Sequence, residues 1–152
     1  ASIRWTGTFK PQCEVKYQPV VVDFINKYGS WARIFFQKAK KRNINVKTDN
    51  YKVNPSSLPY SPTAEAQVRE FNTTGTETIK LNTGWVNDGY AEYLQQLLLS
   101  EKVTLLDFET DTQYTPVNVK SKSLEKQTGL NNGMMNYSLD FDFAFDIINN
   151  VV

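Results

Sequence analysis

The sequence has 152 residues, with 17 basic and 16 acidic side chains and a net charge of +1. That length suits one domain that buries its own core, and the balanced charge gives no overall attraction to nucleic acid or to an anionic membrane. There is no histidine, which excludes Ser-His-Asp and Cys-His catalytic groups, histidine general bases and histidine zinc ligands within this chain.

Cysteine usage and hydropathy narrow the class of protein further. A single cysteine, Cys13, excludes a disulfide within the chain and fits an intracellularly assembled protein. No apolar run approaches the ~20 residues of a membrane-spanning helix, and no segment has the pattern of a signal peptide, so we expect no membrane association. Because the chain starts at Ala1 rather than Met, we expect it to be processed or to be one piece of a longer polypeptide.

The first third of the chain predicts strands. Residues 1–18 are expected to form an N-terminal arm or linker with a short strand at residues 3–9. β-Branched and aromatic runs predict strands at Val20–Ile25 and Trp31–Phe36. The turn between them contains Gly29, which can take positive φ, so the two strands are expected to form a hairpin.

The middle of the chain is more polar. Further extended pieces are predicted at residues 45–48 and 51–53. Residues 54–64 (NPSSLPYSPTA) contain three prolines and three serines, a composition typical of an exposed, irregular loop. Residues 73–81 have β character, with Thr76 and its alternate neighbours on one side and the residues between them on the other.

One helix is predicted from about residue 87 to residue 100. Asn87 or Asp88 can cap its start. Helical spacing places one apolar stripe at Tyr90, Leu94, Leu97 and Leu98. Strands are predicted after it at residues 103–108 and 117–124.

The last strand has the clearest periodicity. A tight turn is predicted at residues 131–133 (Asn-Asn-Gly), and a long strand follows at residues 137–147. Six apolar side chains alternate on one face: Tyr137, Leu139, Phe141, Phe143, Phe145 and Ile147. We expect this strand to be central to the core. Together the elements predict one mainly β domain over residues 1–152, built as two packed sheets or a partly open β-barrel with one flanking α-helix.

Asp140, Asp142 and Asp146 lie in a row on the opposite face of that strand. Such a row can bind a hard cation, face solvent, or line a channel that repels DNA phosphates. A straight strand spreads carboxylates ~7 Å apart at alternate positions, which is too far for one calcium ion, so no metal site is predicted. Simple exposure to solvent is the favoured interpretation.

Other candidate groups give no catalytic or cofactor assignment. The basic cluster (Lys38, Lys40, Lys41 and Arg42) can contact phosphates or form a charged strand end, and it lacks the interleaved aromatics that stack bases. Specific nucleic-acid binding is therefore not expected. Nothing in the spacing selects a glycosidase pair among Glu65, Glu70, Glu77 and Glu92. Sugar stacking or ordinary packing is open to Trp5, Trp31 and Trp85.

Three stretches resemble virion-associated structural proteins of phages that infect Bacteroidetes. They are VDFINKYGSWARIFFQKA (residues 22–39), NTGWVNDGYAEYLQQLLLSEKVTLL (residues 82–106), and the segment from TPVNVKSKSLEKQ to MNYSLDFDFAFDIINN (residues 115–150). The order of predicted elements is also compatible with the tail-tube-like fold of phage virion proteins, in which sheets pack against one helix. The resemblance transfers no catalytic residue.

The resemblance implies a non-enzymatic structural or assembly component of the tail, baseplate or neck. Such a protein is expected to be assembled in the host cytoplasm, to reside in the virion, and to associate with copies of itself or with other virion proteins. The alternative is a carbohydrate-binding module that recognises surface glycans.

Overall fold

The computed structural model describes residues 16–54, 59, 61, 63–87, 89–108, 113–124 and 134–148. These residues contain seven strands and one helix. The elements, in chain order, are β1 (Val20–Ile25), β2 (Trp31–Phe36), β3 (Lys41–Lys52), β4 (Val68–Asn87), α1 (Tyr90–Leu98), β5 (Val103–Asp107), β6 (Thr115–Val119) and β7 (Met134–Ile148).

All seven strands belong to one antiparallel sheet in the order β2-β1-β5-β6-β7-β4-β3, and the sheet is not closed. It nevertheless curls until distant strands meet. The rings of Phe36 on β2 and Phe141 on β7 pack edge to face with centroids 6.1 Å apart. The mainly β prediction is confirmed, and the arrangement corresponds to the partly open barrel rather than to two separate sheets.

The core lies on the concave face of the curled sheet. The predicted hairpin is confirmed, with Val20 opposite Phe36 and Phe24 opposite Ala32. Phe24, Phe36 and Phe141 are the largest fully buried side chains. Full burial of each such side chain is worth about 1.5–3 kcal/mol, so these residues account for much of the stability of the barrel.

Helix α1 covers one side of the barrel, as predicted, but it is shorter than expected. It buries Ala91, Leu94 and Leu97. Its N-cap is Gly89, with no side-chain cap hydrogen bond, so the expected cap at Asn87 or Asp88 is wrong. Asn87 instead ends β4, since pairing with β7 continues to that residue; Asp88 itself lies outside the described residues.

Strand lengths differ most from the predictions in the middle of the chain. The two extended pieces expected at 45–48 and 51–53 are one continuous strand, β3, and β4 extends well beyond the predicted 73–81. The two strands pair with each other along nearly their whole length. Strand β6, by contrast, ends at Val119 rather than at residue 124. The strand predicted at 3–9, most of the loop at 54–64 and the turn at 131–133 lie outside the described residues.

Three strands continue beyond the barrel as an extension, which we call the arm. It consists of residues 41–52 of β3, 68–77 of β4 and 144–148 of β7. Nearly every side chain of the arm is exposed, whereas Ile79 and Leu81, the next inward-facing residues of β4, are buried. The arm therefore has no core of its own.

Candidate assembly surface

The face of the arm that continues the barrel core carries a group of apolar residues beside the Arg42–Glu77 ion pair. It carries Ile44 and Val46 on β3, Gly75 on β4, and Phe145 and Ile147 on β7, and we call these five residues the apolar strip. Gly75 pairs with Val46 on one side and with Ile147 on the other. A Cβ built at Gly75 would lie 3.6 Å from the Ile147 Cβ and 3.7 Å from the Ile44 Cγ2, so the strip is continuous across three strands.

The four side chains of the apolar strip are open to solvent, while Gly75 between them is buried. Relative exposure is 57% for Ile44, 64% for Val46, 48% for Phe145 and 38% for Ile147. Contiguous apolar exposure of this kind is typical of interaction surfaces. The strip is therefore the strongest candidate functional surface among the described residues.

The strip corrects one prediction from the sequence. The alternation of β7 predicted six core side chains, but burial ends at Phe143, and Phe145 and Ile147 are exposed. The pairing of β6 with β7 ends at Phe143. The register with β4 also shifts between Asp142 and Asp146, where two extra residues of β7 form an irregularity. Beyond that point the strand keeps its alternation but leaves the barrel.

Strand β3 is the last strand in the sheet order, so one of its edges has no paired strand among the described residues. It is 12 residues long and regular. The irregularity in its pairing with β4 places the extra residue on β4, near Asn72, whose φ is +51°. Long, regular edge strands present unpaired backbone groups and are templates for pairing with another chain.

A buried ionic cluster holds the base of the arm. Asp107, at the end of β5, is only 1% exposed. Both of its carboxylate oxygens accept hydrogen bonds from the Lys40 Nζ at 2.6 Å, and Oδ2 also accepts one from Arg42 at 3.0 Å. Arg42 contacts Glu77 at 3.2 Å and lies over the Phe143 ring. These charge-assisted bonds join β5 to the start of β3 across the open side of the barrel.

The basic cluster predicted from the sequence is thus divided. Lys40 and Arg42 neutralise the buried carboxylate, while Lys41 is exposed on β3. The side chain of Lys38 lies across Gly84, where an added Cβ would be 2.7 Å from the lysine Cε. Lys40, Arg42 and Lys38 therefore all make contacts within the protein. No local sequence pattern indicates the role of Asp107, because its partners lie 65 and 67 residues away.

The three aspartates of β7 do not converge on a common point. A lysine pairs with each of the first two: Lys80 lies 3.6 Å from Asp140 and Lys120 lies 3.2 Å from Asp142. Asp146 lies beyond the register shift, on the arm. Within the described part of the chain, no group of three or more His, Cys, Asp or Glu side chains is placed to hold a metal ion. The face has mixed charge, so it lacks the uniformly acidic character that a DNA-repelling channel wall would need.

Arg33 and Tyr90 have shifted pKa values, and contacts within the fold cause both shifts. The Arg33 guanidinium donates two hydrogen bonds to the Asp23 carboxylate, at 2.7 and 2.8 Å, and one to the Tyr114 hydroxyl at 2.7 Å. The hydrogen bond and charge of Asp23 raise the pKa of Arg33 above its usual range, so this guanidinium stays protonated and does not act as an acid or a base. Burial, followed by the proximity of Tyr93, raises the pKa of Tyr90 on α1.

The described tryptophans do not form a shared platform. Trp31 is 56% exposed and lies at the start of β2, where the Lys102 Nζ is 5.5 Å from its ring. Trp85 is 68% exposed and follows Gly84, which Lys38 covers beyond the other end of β2. The length of β2, about 17 Å at 3.3 Å per residue, separates the two regions. Trp5 lies outside the described residues.

The four glutamates considered for glycoside hydrolysis also lie apart. Glu70 and Glu77 are on β4, where Glu70 is opposite Asn50 and Glu77 binds Arg42, while Glu92 is on α1 and Glu65 precedes β4. A groove of about 690 Å³ lies between the end of α1 and the segment that follows β6. Its lining consists of Gln95, Leu98, Leu99, Val119, Ser121, Lys122 and Leu124. Among the described residues its lining contains no carboxylate and hence no acid–base pair.

Comparisons with known proteins assign no family. No protein-family model matches the sequence, and no curated protein matches it. In the part of the chain that the structure describes, none of the helical segments has the length and apolar character to cross a membrane.

Proposed function

We propose that this chain is a structural component of a phage virion, in the tail, baseplate or neck, that acts by self-association and by docking to other virion proteins. The observation that supports self-association best is the apolar strip on the arm, next to the edge of β3 that has no paired strand among the described residues. The phage assignment rests on the resemblance of residues 22–39, 82–106 and 115–150.

The energetics of the arm favour a partner. A small sheet without a packed face is marginal on its own, and the arm exposes both of its faces. Ile44, Val46 and Phe145 would each contribute at most about 1.5–3 kcal/mol on full burial. Association costs at least about 4 kcal/mol in lost translational and rotational freedom. No single side chain of the strip offsets this cost, so several must be buried together and backbone pairing must also contribute.

The same surface suits a particle better than an isolated protein. A self-complementary or head-to-tail interface repeated by symmetry covers exposed strand edges and apolar faces in every copy. We propose that the chain works without turnover, inside the assembled virion, with copies of itself or other virion proteins as its partners.

The test is the molecular mass of the purified chain as a function of concentration, by sedimentation equilibrium. The mass should rise with concentration, and Ile44→Ser/Val46→Ser should shift the rise to higher concentration. Phe35→Ser is the matched control, because Phe35 is a similarly exposed apolar side chain on the other edge strand, β2. A wild-type chain that stays monomeric at every concentration and joins no larger particle would refute the proposal.

Carbohydrate binding is the second candidate, and the exposure of Trp31 and Trp85 is the observation that favours it. Their separation argues against one shared stacking site. A glycan array with the wild-type chain and with Trp31→Ala and Trp85→Ala separates the two functions. Binding that one of these substitutions abolishes would promote the carbohydrate-binding function over assembly.

A further inference from the structure

We infer that β3 pairs with β3 of a second copy of this chain, antiparallel, about a two-fold axis at Asn45. This inference rests on the proposed self-association and specifies its interface. The interface extends the seven-stranded sheet of each copy into one continuous sheet across the pair. It is an isologous contact, in which the same surface contributes from both sides.

The sequence of β3 is self-complementary in this register. With Asn45 opposite itself, Ile44 faces Val46 twice, once on each side of the axis. Lys41 faces Asp49 twice, so both ends of the interface carry pairs of opposite charge. Cross-strand pairs of apolar residues and of opposite charges are the contacts that stabilise antiparallel strands.

Neighbouring registers are poorer. An axis at Ile44 would place Lys41 opposite Lys47 twice, and like charges directly opposite each other destabilise a strand pair. An axis at Val46 would pair that valine with itself but would leave Ile44 opposite Thr48 and form no ion pair. The Asn45 register is therefore the one that combines apolar and charged complementarity.

The faces of the sheet also match in this register. Residues with even numbers on β3 share the face of the apolar strip, and they pair with even-numbered residues of the second copy. The strips of the two copies, each with Ile44, Val46, Phe145 and Ile147, then lie side by side on one face. Lys41 and Asp49 lie on the opposite face and are exposed in the single chain, as required for residues that contact a partner.

Complementary charge variants test the pairing directly. Lys41→Asp alone places Asp opposite Asp, and Asp49→Lys alone places Lys opposite Lys, so each variant should associate at least tenfold more weakly than the wild type. In a mixture of the two variants both pairs are again Asp opposite Lys, and association should return as a one-to-one complex. Lys27→Asp and Glu101→Lys make the same charge changes at exposed positions away from β3 and should leave association unchanged.

A cysteine on the axis provides a second measurement. In a Cys13→Ser background, Asn45→Cys should form a disulfide-linked dimer under mild oxidation, because residues directly opposite across an antiparallel pair have Cα atoms about 5 Å apart. Asn43→Cys is the matched control. Its two copies would lie about 13 Å apart along the strands, so it should not cross-link.

The outcomes separate this inference from the proposed function. Restored association in the mixture, with cross-linking at position 45 but not at 43, supports the pairing. If the folded variants associate as the wild type does, or if the mixture stays dissociated, the β3 interface is overturned. The wild type then assembles through another surface. A wild-type chain that never associates overturns the proposed function itself.

Discussion

The barrel and the arm use the same strand, β7, in opposite ways. In the barrel, Leu139 and Phe141 alternate inward and are buried in one core cluster with residues of β1, β2 and α1. In the arm, Phe145 and Ile147 continue the same alternation and are exposed. Alternation in a sequence thus reports which face a side chain shares, but burial depends on whether another element covers that face. Where the described part of the chain supplies no cover, a partner is the physical alternative.

The largest expected effect separates the two regions on this one strand. Phe141→Ala removes a fully buried ring and should lower the free energy of unfolding by about 3–5 kcal/mol, and Phe143→Ala, at a residue 7% exposed, should approach that value. Phe145→Ala should cost less than about 1 kcal/mol in the isolated chain, since surface substitutions have small effects. Denaturant unfolding at low protein concentration measures both. Equal losses at positions 141 and 145 would contradict the division into barrel and arm.

The ionic cluster at the junction should give the next largest effect. Asp107→Asn keeps the shape but removes the charge that Lys40 and Arg42 neutralise, and it should cost about 1–3 kcal/mol. The value lies below that of a fully buried pair because the two cations are 18% and 28% exposed. Asp146→Asn, on the arm, is the control and should be nearly neutral. Unfolding monitored by circular dichroism decides whether Asp107 anchors the arm.

Substitutions at two glycines should show a smaller difference in stability between the barrel and the arm. Gly84 in the barrel has φ +74°, a conformation that alanine adopts only with strain, so Gly84→Ala should cost about 1 kcal/mol or more, even though the Lys38 side chain can move away from the added Cβ. Gly75 in the arm has no positive φ, and its nearest neighbours would lie at 3.5 Å or more. Gly75→Ala should therefore change stability by less than about 0.5 kcal/mol. Thermal unfolding of both variants tests the contrast, and a reversed order would contradict it.

The smallest expected effect concerns pH. Burial raises the folded-state pKa of Tyr90 above its ordinary value of 10.0, so folding favours the neutral phenol. The associated stability is fully present below the unfolded-state pKa and is lost as pH rises from about 10 through the folded-state pKa. Tyr90→Phe removes this phenol, so the melting temperature of the variant should fall less steeply as the pH rises above about 10. The exposed Tyr28 is the control, and Tyr28→Phe should leave the fall unchanged.

Much of the barrel could be predicted from the sequence because its signals are local. The β1–β2 hairpin follows from apolar runs around the Gly29 turn, and helix α1 from apolar residues at helical spacing. The lengths of β3 and β4 could not be predicted, since their polar, Thr- and Asn-rich residues have no periodic apolar pattern and the strands extend by pairing with each other.

Less of the candidate surface could be predicted from the sequence, because it depends on contacts between residues far apart along the chain. The role of Asp107 depends on Lys40 and Arg42, which come close only when the sheet curls. The exposure of Phe145 depends on β6 pairing that ends at Phe143, a property of another strand. One signal was present in the sequence: Ile44 and Val46 alternate among polar residues, a half-apolar pattern next to the basic cluster.

Hydrogen–deuterium exchange of the wild-type chain at low and at high concentration tests the central claim, that the arm is an association surface, most directly. We expect backbone amides of β3, Lys41–Lys52, to become protected as concentration rises, while amides of the edge strand β2 keep the same exchange rate. A mass that increases with concentration while β3 exchanges at an unchanged rate would show that the chain assembles without the arm, so the arm would not be the association surface.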